Sequence, residues 1–159
     1  MPRYIIDKST EVIRRLRFFA FGSGGVIFDQ FEWEGLTDNG LPIRPRRRSH
    51  VDGQGISFLR AIGMRIALVT SADAAVQSLI ARWNTLPSAR DGTWHQVDVL
   101  SDATRLEAWV ASHGGTLEEC GAMGAEFAHW RMLELAAFRA AAGDAAPEIK
   151  AKCHWIAER

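Results

Sequence analysis

Apolar residues follow two rhythms along this chain. Short, nearly continuous apolar runs occur at 16–21 (LRFFAF), 64–70 (MRIALVT), 97–100 (VDVL) and 119–124 (ECGAMG). Bounded by glycine or polar residues, such runs predict buried strands. Between them lie stretches with apolar positions every three or four residues, which predict helices: 72–83 (ADAAVQSLIARW), the segment through Val110, and a segment from about Glu126. Ser71, and Ser101 or Asp102, stand where N-caps are needed, and Gly114-Gly115 closes the helix before it. Val26 to Trp33 reads as extended and leads to Asn39-Gly40, a hairpin turn signal. The return arm, 41–51, carries Pro42 and Pro45 and is predicted as an exposed edge. Turn chemistry at DGQGIS then opens a short helix with Ile56, Leu59 and Ile62 on one face. Strands alternating with helices of this length predict a parallel α/β sheet with right-handed crossovers. No repeat or linker interrupts the pattern, so one domain over 1–159 is expected. Residues 126–142 read locally as one long helix, because Ala, Leu, Glu and Arg all favour it.

Composition narrows the function classes. Lys and Arg together number 19, as do Asp and Glu, so no net field favours a polyanionic partner. No apolar run reaches the roughly 20 residues of a membrane span, and the N-terminus lacks the uninterrupted apolar core of a signal peptide. Cys120 and Cys153 have no metal-ligand spacing, and a reduced, cytoplasmic protein is expected. The basic run Arg44-Pro45-Arg46-Arg47-Arg48 has no interleaved aromatics and lies on the hairpin arm, which favours a solvated or intersubunit role over nucleic acid.

The candidate chemistry centres on Gly22-Ser23-Gly24-Gly25, where the first strand ends. Small residues there allow a backbone to approach a phosphate closely. A dinucleotide fingerprint would place its third glycine on Ile27, and a P-loop would need Lys and Ser/Thr where Val26 and Ile27 stand. A nucleophile elbow fails because Gly22 directly precedes Ser23.

A fourth pattern fits. Gly22-Ser23-Gly24-Gly25-Val26-Ile27-Phe28-Asp29-Gln30 aligns with a DxDGVxTDG motif, and Asp52-Gly53-Gln54-Gly55-Ile56 matches a DGxGI segment after the hairpin. Val69-Thr70-Ser71-Ala72 matches a strand ending in Thr-Gly-Arg, and Gly124-Ala125-Glu126-Phe127-Ala128-His129 stands at a GDDxxD motif. Asp144-Ala145-Ala146-Pro147-Glu148 and a last strand at His154-Trp155-Ile156 complete the order. The chain thereby resembles the haloacid dehalogenase (HAD) superfamily, in particular its 3-deoxy-D-manno-octulosonate 8-phosphate phosphatase branch, over about residues 14–157. The resemblance implies a HAD-like Rossmannoid parallel sheet flanked by helices, with a β-hairpin insertion at about 28–50. It also implies a strand near 138–142 in place of the long helix.

The resembled enzymes use one aspartate as nucleophile, a second as acid and base, a cationic residue and a Mg²⁺. Here Gly22 and Gly24 stand at the two aspartate positions, Asp102 at the cationic one with Arg105 a turn on, and Ala125 and His129 replace two metal-binding aspartates. A carboxylate cannot attack a phosphate dianion without these groups. The expectation is therefore a catalytically degenerate phosphatase homologue with no metal cofactor, serving as a ligand-binding, scaffolding or regulatory protein in sugar-acid or natural-product metabolism. Its emptied loop, with Gly24, Gly25, Thr70 and Ser71, is expected to form an anion-receptive nest for a small ligand. The alternative is an enzyme with a repurposed pocket using Glu126, His129 and Asp29 or Asp52. Glu126 and His129 share a helix face and could join His50 or His95 in a transition-metal site. Their simplest reading is a capping glutamate and a partly exposed histidine. A homo-oligomer, a tetramer by the resemblance, is expected from the apolar hairpin residues Phe31, Trp33, Leu36 and Leu41; a partner enzyme is a further expectation.

Overall fold

A computed structural model describes residues 8–32, 35–43, 46–70 and 74–158. After helix α1 (Lys8–Arg15) come strands β1 (Phe18–Gly22), β2 (Phe28–Glu32), β3 (Gly35–Leu36), β4 (Pro42–Ile43) and β5 (Arg46–Arg48). Helix α2 (His50–Ala61), strand β6 (Arg65–Val69), helices α3 (Ala74–Asn84) and α4 (Pro87–Arg90), and strand β7 (Asp98–Leu100) follow. The remainder is α5 (Leu106–Ser112), β8 (Cys120–Gly124), α6 (Trp130–Leu135), β9 (Phe138–Ala141), α7 (Pro147–Ala151) and β10 (Trp155–Ile156).

Six strands form one sheet in the order β10-β9-β8-β1-β6-β7, and every pairing in it is parallel. Alternation along each strand builds the two layers. Phe18 and Ala20 of β1, with Ala67 and Val69 of β6, pack on one face with Leu106, Trp109, Met132, Leu133 and Ile149 from α5, α6 and α7. Phe21, Ile66 and Leu68 point the other way, onto Ile56 of α2 and Val76, Leu79, Ile80 and Trp83 of α3. Both faces are covered, so the central strands read as continuous apolar runs. The sheet's margins are short: β7 has three residues and β10 has two.

The hairpin closes at Gly40, whose φ of 75° explains why Asn39-Gly40 signals the turn. β3 pairs antiparallel with β4 and β2 with β5. The arm ends earlier than the expected residue 51, its last strand closing at Arg48. Ser49 caps α2 by accepting the Val51 N–H at 3.1 Å, so His50 and Val51 are helical and Asp52-Gly53 lies inside the helix. The long-helix reading of 126–142 fails. Helix α6 stops at Leu135, and burial between neighbours makes 138–141 a strand despite its alanines. Trp33, Arg44, Pro45 and Ser71 lie outside the described residues.

The apolar face of α2 differs from expectation. Ile56 is buried, but Ile62 is 75% exposed, and the inward position is held by Arg60, 1% exposed. Burial at this depth requires every donor to be met. Arg60 Nε and Nη2 donate to the His95 carbonyl at 3.1 and 2.9 Å, and Nη1 to the Trp83 carbonyl at 3.0 Å. The guanidinium also lies 5.3 Å from the Trp94 ring centroid. It ties α2 to the end of α3 and to the loop before β7. Arg60→Met keeps the packing stem but orphans two carbonyls, and should lower unfolding free energy by about 2 kcal/mol, measurable by urea denaturation.

Candidate active site

Parallel strands bring their carboxyl ends to one edge, the usual place for ligands in such sheets. Register puts Gly22 opposite Val69 and Phe21 opposite Met123, so the carboxyl ends of β1, β6 and β8 meet there. The first loop is folded onto itself. Ser23 N–H donates to the Val69 carbonyl at 3.2 Å, and the Ser23 carbonyl accepts from Ile27 and Phe28 N–H at 3.2 and 3.0 Å. Gly25 has a φ of 68°, which favours glycine, and Gly24 bridges to Phe28.

The third loop fills the space that the glycines leave. A Cβ on Gly22 would lie 2.2 Å from Cε1 and 2.4 Å from Nε2 of His129. A Cβ on Gly24 would lie 2.2 Å from a carboxylate oxygen of Glu126. The imidazole and the carboxylate thus sit where side chains at 22 and 24 would begin. Local sequence explains how. Glu126 is the N-cap of a 3₁₀ turn, Phe127–His129, and the two ends of that turn cap each other: the Glu126 side chain accepts the His129 N–H, and the His129 side chain accepts the Glu126 N–H. His129 Nδ1 accepts from Ala125 N–H at 3.1 Å and Glu126 N–H at 3.2 Å. The capping glutamate is as read from sequence. The histidine is not partly exposed: it is 4% exposed, and burial pushes its pKa down to about 4.

Other expected site residues lie elsewhere or are already engaged. Thr70 N–H donates to the Leu100 carbonyl at 3.0 Å. The Glu126 carboxylate over Gly24 would repel an anion, which counts against the nest. Asp102 caps the turn Ala103–Arg105, accepting from the Thr104 hydroxyl and from Thr104 N–H at 2.8 Å, and these two bonds, the hydroxyl's first, hold its carboxyl below the usual range. Asp29 is half-buried and engaged with other groups, and Asp52 lies in the first turn of α2, where burial raises its pKa against the opposing pull of Arg48. His95 belongs to the other end of the sheet, beside Arg65 at the start of β6, so it cannot join His129. Among the described residues no three His, Cys, Asp or Glu side chains group as metal ligands. Arg60 escaped sequence reasoning, although its place one turn after Ile56 on an apolar face was a usable signal.

No protein-family profile matches the chain, and no curated protein matches it in sequence. Solved structures do match in shape. A hypothetical protein from Xanthomonas campestris superposes with a TM-score of 0.78 at 19% identity, over 99% of this chain and 80% of that one. The 3-deoxy-D-manno-octulosonate 8-phosphate phosphatase of Moraxella catarrhalis, in complex with magnesium, phosphate and its sugar acid, gives 0.75 at 16% identity, over 97% and 83%. The cobalt-bound enzyme of Haemophilus influenzae gives 0.70 at 17%, over 91% and 79%.

These neighbours correct the expectation of no metal cofactor, because a divalent metal is typical of phosphatases with this fold. Among the described residues, the donors set against the two glycines are one carboxylate and one imidazole whose Nδ1 is occupied. As they stand, they do not fit the octahedral oxygen shell of Mg²⁺. The parallel six-stranded sheet and its flanking helices are those of the HAD fold, and the solved structures it matches include 3-deoxy-D-manno-octulosonate 8-phosphate phosphatases.

Proposed function

We propose that this chain is a HAD-fold protein that does not use the aspartyl-phosphate route and serves instead as a ligand-binding, scaffolding or regulatory protein. The observation that carries the reading is the His129 ring in the space of a side chain at position 22. A nucleophilic carboxylate is missing from the sequence there, and the volume it would need is occupied. The sugar acid held by the Moraxella neighbour makes sugar-acid or natural-product metabolism the natural setting. With Mg²⁺ supplied, the purified protein should release no phosphate above background from 4-nitrophenyl phosphate or 3-deoxy-D-manno-octulosonate 8-phosphate. Metal-dependent turnover would refute the reading.

A second reading, an enzyme with a repurposed pocket, draws on the exposed Glu126 carboxylate beside His129. Any turnover abolished by Glu126→Ala would select it. We further propose a homo-oligomer. Leu36 and Leu41 flank the hairpin turn at 72% and 63% exposed, and Val51, Phe58 and Ile62 form an exposed stripe along α2. A monomer in light scattering would contradict this. Among the described residues no helix is long and apolar enough to cross a membrane, and the free cysteines Cys120 and Cys153 suit the cytoplasmic residence we propose.

A further inference from the structure

Two hydrogen-bonding groups of opposite kind face the paired glycines. Nδ1 of His129 accepts two backbone N–H bonds, so in the neutral ring the proton resides on Nε2. That Nε2–H has no acceptor among the described residues. The residue is 4% exposed, yet this nitrogen is not sealed off: Arg139 Nε is the one solvent-sealed unpaired side-chain atom among the described residues. An almost fully buried side chain thus keeps an unused donor beside Gly22. Three residues back, the exposed carboxylate of Glu126 lies against Gly24, two positions from Gly22. The pair is an uncharged donor beside a charged acceptor.

From this arrangement we infer that the carboxyl-edge cradle takes a neutral, hydroxyl-bearing ligand, a polyol or sugar, and rejects inorganic phosphate. The inference rests on the non-hydrolytic reading above. A hydroxyl oxygen accepts from His129 Nε2–H while its own hydrogen is donated to Glu126, and neighbouring hydroxyls can divide the two contacts. An ammonium group pairs with Glu126 but offers nothing for Nε2–H to donate to. A phosphate accepts from Nε2–H but meets the Glu126 charge, and the neutral imidazole supplies no charge to offset it.

Mannitol is the probe. Titrated into the intact, isotope-labelled protein, it should move the His129 Cε1–H resonance along a saturating curve. Inorganic phosphate at equal ionic strength should leave that resonance in place. Glu126→Ala should weaken mannitol binding about tenfold or more, and Glu126→Gln, which keeps an acceptor without charge, by less. Phosphate that saturates the same resonance in the wild type would overturn the inference. So would a mannitol response that is linear or indifferent to both variants. Failure of this kind in a protein that releases no phosphate from 4-nitrophenyl phosphate removes only the ligand class. Phosphate release removes the non-hydrolytic reading itself.

Discussion

Gly22→Ala should destabilise the protein by about 3 kcal/mol, at the upper end for an inserted methyl group in a packed interior. The new Cβ would meet three ring atoms of His129, at 2.2, 2.4 and 2.5 Å. The ring cannot swing aside cheaply. It is buried and pinned by two N–H bonds, and its neighbour Gly124 already approaches the His129 Cβ closely enough to exclude a methyl group. The backbone at 22 has no positive φ, so the cost is steric and not conformational. Two controls isolate it. Gly24→Ala meets only the carboxylate end of Glu126, an exposed side chain that can swing out at the loss of its cap bond to His129 N–H, and should cost no more than about 1 kcal/mol. The double variant Gly22→Ala/His129→Ala should recover part of the loss, with a coupling of about 1–3 kcal/mol in a urea-denaturation cycle. Additive costs would show that the ring and the glycine are not one packed unit.

The second large effect is a loss of stability on acidification. An unfolded histidine takes its proton near 6.5, whereas burial delays protonation of His129 to about 4. Between those values the unfolded chain binds the extra proton, so acidification favours unfolding. The contribution is fully present above pH 6.5 and is lost progressively down to about 4. Two to three pKa units correspond to about 3 kcal/mol. His129→Asn keeps an acceptor for the two N–H groups and removes the titration. The difference in unfolding free energy between wild type and variant should therefore shrink by about that amount from pH 7 to pH 4. A constant difference would mean that the imidazole titrates freely.

The strands and the order of the layers were legible in the chain because burial on both faces leaves an apolar run, as in 18–22 and 65–69. The break at 135 was not legible locally. Nothing in Leu135-Ala136-Ala137-Phe138 opposes a helix, and the strand there exists because β8 and β10 pair with it. Absent side chains at 22 and 24 could be read directly. What replaced them could not, since sequence gives the spacing of Glu126 and His129 and not the 3₁₀ turn that aims both at the glycines. Arg60 shows the same limit. Its partners are carbonyl groups, which every residue carries and no sequence pattern marks.

The brevity of the two outermost strands has a bearing on self-association. Three residues of β7 and two of β10 offer too few free N–H and C=O groups to template another chain's strand. Growth of the sheet across a subunit boundary, the commonest hazard of exposed β-edges, is closed off at both margins. At the margins of the six-stranded sheet, copies of this protein can therefore recognise one another only by side chains, and a hydrophobic substitution on β7 should be far less prone to fibre formation than one on α2.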